Sequence, residues 1–190
     1  MDALARSRIY GFFSRLFIRE VDDAFAAALT SPLGTALLPG WKGEDRTALD
    51  VDYAQLTVTN VMPYESFYLR PDGMVESGGA NPLVVFLQKY GFEVDLAAAR
   101  SIAPDHIGVE LELMSVLCAR EDEALREGKA DYAARIRQVE GEFLAQHLLR
   151  FAPIYLLAVQ RTARTALYRD AADATLHFLL QDQALLGAPS

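Results

Sequence analysis

Apolar residues recur along most of this chain with the period of an α-helix. Ile9, Phe12, Phe13, Leu16 and Phe17 fall at i, i+3, i+4, i+7 and i+8, which gathers them on one stripe of a cylinder with Arg8 and Arg15 on other faces. This predicts a docked first helix whose aromatics are core. A second helix is expected from Asp22 or Asp23 through Leu29. It should stop near Ser31-Pro32, because proline restricts the residue before it and lacks the N–H that would continue the ladder. "NPLVVFLQKYG" carries Pro82 just inside its start and Gly91 just past its end, the usual asymmetry of a short helix. Residues 106 to 127 predict a long helix closed by Gly128. Tyr132, Ile136, Val139 and Phe143 mark another, which should break or kink before Pro153, and "IYLLAVQRTARTALY" and "ATLHFLLQDQALL" read as two more.

The middle of the chain is mixed. "YAQLTVTNV" has β-branched residues that suit a strand, but Tyr53, Leu56 and Thr57 lie at helical spacing, so it reads as a helix that unwinds by Asn60. Loops are expected at "NVMPYES" around Pro63 and at "RPDGMVESGGANP" around Gly73 and Gly78-Gly79. No internal repeat, low-complexity tract or linker divides the chain. The expectation is an all-α protein, with residues 1–190 forming a single-domain helical bundle.

Composition narrows the partners. With 190 residues, 52% hydrophobic and 23% charged, the chain can bury one sizeable core and is globular rather than disordered. Its 18 Lys and Arg against 26 Asp and Glu give a net charge of −8, which repels phosphate backbones. Nucleic acid is therefore not an expected partner, whereas a cationic peptide or subunit surface is compatible. The lone Cys118 lies in an apolar run, where it acts as a small hydrophobe and suits a reducing cytoplasm. "MDALARSRIYGFFSRLFIRE" is interrupted by Arg15 and is not expected to act as a signal peptide. Nowhere do about 18 uninterrupted apolar residues occur to span a membrane.

Candidate chemistry is sparse. There is no glycine-rich phosphate loop, and "ESGGANP" lacks the lysine and preceding strand that one needs. No recognisable elbow surrounds Ser66, Cys118 or the three histidines, so enzymatic activity is not expected. His106 and Glu110, like Asp173 and His177, are spaced i, i+4 and present two potential ligands on one helical face. The competing reading is ordinary hydrogen bonding. The Glu-x-x-His repeats of di-iron bundles are absent, so neither a metal site nor a cofactor is expected. An all-α metal-binding or small-ligand-binding protein using these two pairs is the alternative function. A ligand-sensing regulator would need a basic helix-turn-helix, which is not found.

"IAPDHIGVELELMSVLC" sets an acid and a histidine at the start of the long helix. Asp105 suits the N-cap, its carboxylate accepting from Ile107 or Gly108 N–H. Ile107, Leu111, Met114 and Cys118 form one stripe, widened by Val109, Leu113, Val116 and Leu117, which leaves Glu110, Glu112 and Ser115 facing outward. The cap leaves His106 without a role. In the functional reading, Asp105 and His106 both sit at the rim of a groove floored by apolar helix ends.

"PDHIGVELELM" resembles the Pro-Asp-His-plus-Leu-Glu signature of the TorD/DmsD/NarJ family, maturation chaperones of molybdenum-containing oxidoreductases. "RIYGFFSRLF", "YAQLTVTNVMPYESFYL" and "FLAQHLLRFAP" are similar to further family segments in the same order, so the resemblance spans residues 8 to about 155. It implies a cytoplasmic chaperone that binds the twin-arginine leader of an apo catalytic subunit, assists molybdopterin guanine dinucleotide insertion and delays export. The leader surface it implies involves Tyr53, Leu56, Pro63, Tyr64, Pro104, Asp105 and His106, with Glu65 beside Tyr64 either part of it or solvated. A leader has a basic segment followed by an apolar one, so Asp105, Glu110 and Glu112 would meet the first and Leu56, Pro63, Tyr64 and Ile107 the second. Thr57 stands where the family usually has phenylalanine and Tyr64 where some members have tryptophan, which implies a smaller or differently tuned pocket. Monomer and domain-swapped homodimer both fit.

Overall fold

Asp2 opens the first helix, α1 (Ala3–Ile18), by accepting the Ala5 N–H on Oδ1 at 2.7 Å. The computed structural model describes residues 1–187, and among them the only extended pairing is an isolated antiparallel bridge between Tyr64 and His106. The chain continues through α2 (Asp23–Leu29), α3 (Pro32–Leu37), α4 (Arg46–Ala54), α5 (Glu65–Leu69), α6 (Pro82–Tyr90) and α7 (Leu96–Ala99). It ends with α8 (Ile107–Arg126), α9 (Ala130–Phe143), α10 (Leu149–Thr162) and α11 (Ala166–Gly187). Two π-helical stretches, Gln55–Asn60 and Leu144–Leu148, extend α4 and join α9 to α10. The fold is all-α, as the apolar periodicity predicts.

The aromatic stripe of α1 is core: Tyr10, Phe13 and Leu16 are fully buried and Phe17 nearly so, with Tyr10 edge-on to Phe178 of α11 at 4.7 Å. α1 runs antiparallel along α8 at close range. Ser7 Oγ donates to the Ser115 carbonyl and Ser115 Oγ to the Ser7 carbonyl, each at 2.8 Å, and Ser14 Oγ donates to the Gly108 carbonyl at 2.7 Å. A Cβ on Gly108 would come 2.8 Å from Ile18 Cβ, so the crossing depends on the glycine.

One buried cation clamps four helices. Arg6 of α1 pairs with Asp182 of α11 at 2.6 Å, Glu140 of α9 at 2.7 Å and Glu121 of α8 at 3.0 Å, and Tyr10 Oη donates to Asp182 at 2.7 Å. Burial opposes the Arg6 charge, but the Asp182 hydrogen bond and the surrounding carboxylates more than offset it and hold its pKa above the usual value. Burial likewise pushes Glu140 up to about 7, with Arg6 pulling against it.

Several boundaries differ from those predicted. Pro32 both ends α2 and starts α3, where its missing N–H is one of the helix's unpaired donors in any case. The break expected before Pro153 is instead the widening at Leu144–Leu148; Pro153 lies inside α10, withdrawing one bond. The helix expected over "IYLLAVQRTARTALY" is two. Asp52 Oδ2 accepts from the backbone of Arg164 (3.0 Å) and Thr165 (2.8 Å) and from the Thr165 hydroxyl (2.7 Å). Glu44 then takes the first amides of α11, Ala166 and Leu167, at 2.9 and 2.8 Å. The break is a cap supplied from the α4 region. The helix predicted at "ATLHFLLQDQALL" accordingly begins earlier, at Ala166.

Candidate functional site

The loop expected around Pro63 and the Pro-Asp-His turn are tied to each other. Ile107 N–H donates to the Pro63 carbonyl at 2.8 Å and Glu65 N–H to the Asp105 carbonyl at 3.0 Å, which makes the Tyr64–His106 bridge. The Tyr64 and His106 rings stand edge to face at 5.2 Å. Ser66 N–H donates to Asp105 Oδ2 at 2.6 Å.

These bonds correct the capping assignment. Asp105 does not cap its own helix; it caps α5, the short helix that starts inside the expected loop. The N-cap of α8 is His106, whose Nδ1 accepts the Gly108 N–H at 3.0 Å. An accepting Nδ1 places the neutral ring's proton on Nε2, and burial, which lowers the His106 pKa to about 4, keeps the ring neutral at ordinary pH.

Beneath this double turn lie three carboxyls with no exposure, Glu65, Asp105 and Glu110. Glu65 Oε2 is 3.0 Å from Nδ1 of His147, which the π-helical stretch Leu144–Leu148 carries into the interior. Neither oxygen of Glu110 has a hydrogen-bond partner. Burial, and then the charges of Glu65 and Asp105, push its pKa well above the usual carboxylate range, so Glu110 is a neutral acid. The expectation that Glu110 faces outward is therefore overturned.

Of the residues singled out in the sequence, Pro63, Tyr64, Glu65, Asp105, His106 and Ile107 come together at the double turn, and Pro104 and Glu110 share its buried environment. Asp105 and His106 are interior rather than at a rim. Leu56 is buried in the π-helical continuation of α4, and Tyr53 faces Tyr168 of α11, with ring centroids at 6.2 Å. Glu112 alone of the set is exposed, on a groove between α1 and α8. Sequence reasoning missed Ser66 and His147 as partners. The available signal for His147 was a lone histidine in the apolar run "FLAQHLLRFAP".

In the two spaced pairs each histidine makes a local contact with the backbone, and the Glu110 carboxyl makes no hydrogen bond. His106 Nδ1 is taken by its cap, and His177 Nδ1 sits 2.9 Å from the Asp173 carbonyl oxygen on an exposed turn of α11. Among the described residues no group of three or more His, Cys, Asp or Glu side chains converges on one point where a metal could sit.

Residues 18–155 match the family described as nitrate reductase delta subunit. The chain is 22% identical to the chaperone protein TorD of Vibrio cholerae serotype O1 (strain ATCC 39541 / Classical Ogawa 395 / O395) over 210 aligned positions, covering 95% of this chain and 91% of the relative. It is 24% identical to the chaperone protein TorD of Psychrobacter sp. (strain PRwf-1), covering 96% and 91%. No solved structure matches the chain at comparable significance.

Proposed function

The chain belongs to the nitrate reductase delta subunit family, and from that membership we propose that it is a maturation chaperone for a molybdenum-containing oxidoreductase. In this reading it binds the N-terminal, twin-arginine-type leader and the apo catalytic subunit in the cytoplasm. It holds the subunit open for cofactor insertion and delays export until loading is complete. The work is recognition, with no covalent step. One observation carries the reading: the segments that hold the family resemblance, "PYES" and "PDHI", are hydrogen-bonded to each other into one buried double turn. At that turn Pro63, Tyr64, Glu65, Pro104, Asp105, His106 and Ile107, with Glu110 buried beside them, meet at the start of α8, Tyr53 and Leu56 lie in the helical stretch that precedes Pro63, and Glu112 stands on the exposed face of α8. The net charge of −8 suits a cationic leader, and among the described residues no helix is long and apolar enough to cross a membrane.

The test is co-purification of the tagged full-length protein from its native host with mass spectrometry and molybdenum analysis. The expected companion is an oxidoreductase catalytic subunit that lacks molybdenum and keeps its N-terminal leader. Recovery of the metal-loaded enzyme alone, or of no such subunit, overturns the reading. A leader with both arginines changed to lysine separates steering from recognition. If a carboxylate grips a guanidinium in a planar fork, the lysine leader binds worse even at low salt.

A further inference from the structure

The close approach of α1 and α8 leaves a valley above their crossing, and the segment from Phe92 to Ala99 walls its third side. The resulting groove has a volume of about 530 Å³, within the range of small-ligand and peptide anchor sites. On α8 it is lined by Val109, Glu112, Leu113 and Val116, at i, i+3, i+4 and i+7, and on α1 by Gly11, Ser14, Arg15 and Ile18 at the same spacing. Two helical stripes side by side form the trough that a third helix fills. Leu87 and Phe92 complete its apolar lining, and Val116 lies 38% exposed on the floor.

With Arg15 paired to Asp22, the three carboxylates of the rim, Glu93, Asp95 and Glu112, outnumber by one the guanidiniums that remain, Arg19 and Arg120, so its charge is weakly negative. Arg15 is bound to Asp22 at 2.6 Å and to the Glu20 carbonyl, Arg19 donates to the Ala98 carbonyl, and Arg120 stacks over the Phe92 ring at 4.6 Å. Asp95 caps α7 through the Ala98 N–H. Glu93 and Glu112 are exposed and have no ion pair or side-chain hydrogen bond among the described residues.

We propose that this groove, rather than the buried double turn, is where the client's leader docks: its apolar segment as a short helix between α1 and α8, its basic residues against Glu93 and Glu112. The inference rests on the chaperone reading and gives that reading a location. Asp105 and His106 then act as positioning residues, which fix the first turn of α8 and so the height of Val109 and Glu112. Neither touches the leader.

The probe is a fluorescein-labelled synthetic peptide with two adjacent arginines followed by a leucine- and alanine-rich segment, titrated against the full-length protein by anisotropy. Val116→Asp changes an exposed side chain and leaves the fold intact. It should weaken binding tenfold or more, about 1.4 kcal/mol, whereas Leu125→Asp, exposed further along α8 and outside the groove, should not. The double charge reversal Glu93→Lys with Glu112→Lys should weaken the arginine peptide and bind better a peptide carrying two glutamates in their place. Wild-type affinity in Val116→Asp and in the charge reversal, with the client still recovered from the host, overturns the groove and leaves the chaperone reading standing. Loss of the client from wild-type preparations overturns that reading itself. A dimer that dissociates in Val116→Asp and that the peptide cannot compete apart would make the occupant a second copy, and also overturns the proposal.

Discussion

Arg6 and Asp182 meet through two charged hydrogen bonds, Nε to Oδ1 at 2.6 Å and Nη2 to Oδ2 at 3.0 Å, with neither side chain exposed. The pair joins the first helix to the last. Removing one partner of a buried pair strands the other charge, so Asp182→Ala should cost about 3–5 kcal/mol, toward the lower end because Glu121 and Glu140 remain beside the guanidinium. Urea unfolding should show a lower midpoint with little change in slope. A loss below about 1 kcal/mol would mean that the clamp is dispensable.

His106→Ala and Asp105→Ala should both weaken the fold, by different routes. The first removes the cap of α8 and should cost about 0.5–2 kcal/mol. The second leaves the buried Ser66 N–H without an acceptor, about 1–3 kcal/mol, and Asp105→Asn should recover part of the loss because one acceptor oxygen remains. Thermal melts of the three variants decide the matter. An Asp105→Ala protein as stable as the wild type would remove Asp105 from its role in holding the two turns together.

The pH dependence has two opposing arms. The folded pKa of His106, about 4, lies below its ordinary value of 6.5. The stability it supports is therefore full above about pH 6.5 and is lost as pH falls toward 4, on the order of 3 kcal/mol. The folded pKa of Glu110 is raised, so its contribution is full below the ordinary value of 4.5 and is lost as pH rises. Glu110→Gln keeps the neutral shape and removes that second arm. Urea midpoints should show the variant close to wild type near about pH 4 and increasingly more stable toward neutrality. A glutamine variant that is less stable at neutral pH would contradict a neutral Glu110.

Cys118 is fully buried, and burial raises its thiol pKa, so it should be inert to thiol reagents in the folded protein. Maleimide labelling followed by mass spectrometry should proceed only as fast as α8 opens, and should accelerate with urea. Fast labelling under native conditions would mean that the α8 face carrying Cys118 opens without global unfolding.

Periodicity and local punctuation made α1, α6 and α8 legible, because their apolar stripes and the signals at Pro82, Gly91 and Gly128 act within a few residues. Gly91 and Gly128 do take positive φ, 68° and 73°. The start of α11 was not legible, since its caps, Asp52 and Glu44, lie more than 110 positions away. For the same reason Asp105 reads as a cap for its own helix when its partner is Ser66, 39 positions distant. Glu110 and Glu112 look alike in sequence. What separates them is tertiary: one is enclosed against Glu65 and Asp105, and the other stays in water. The family resemblance singled out segments that the fold joins at one turn, and left open which of their side chains a partner can reach.

The widened turns at Leu144–Leu148 make the length of that stretch as consequential as its composition. A π-helical segment accommodates one residue more than an α-helix over the same rise. Deleting a single residue there would let the helix return to ordinary spacing with the residues after it still on the faces they now occupy, whereas deleting two would rotate everything after them by about 100°. With one residue fewer, Phe151 and Tyr155, both fully buried, would stay in the core, and the change would fall on His147 and its contact with Glu65. The loop over residues 70–81 can change its length freely, but this stretch can lose one residue and no more, although none of its side chains need bind anything.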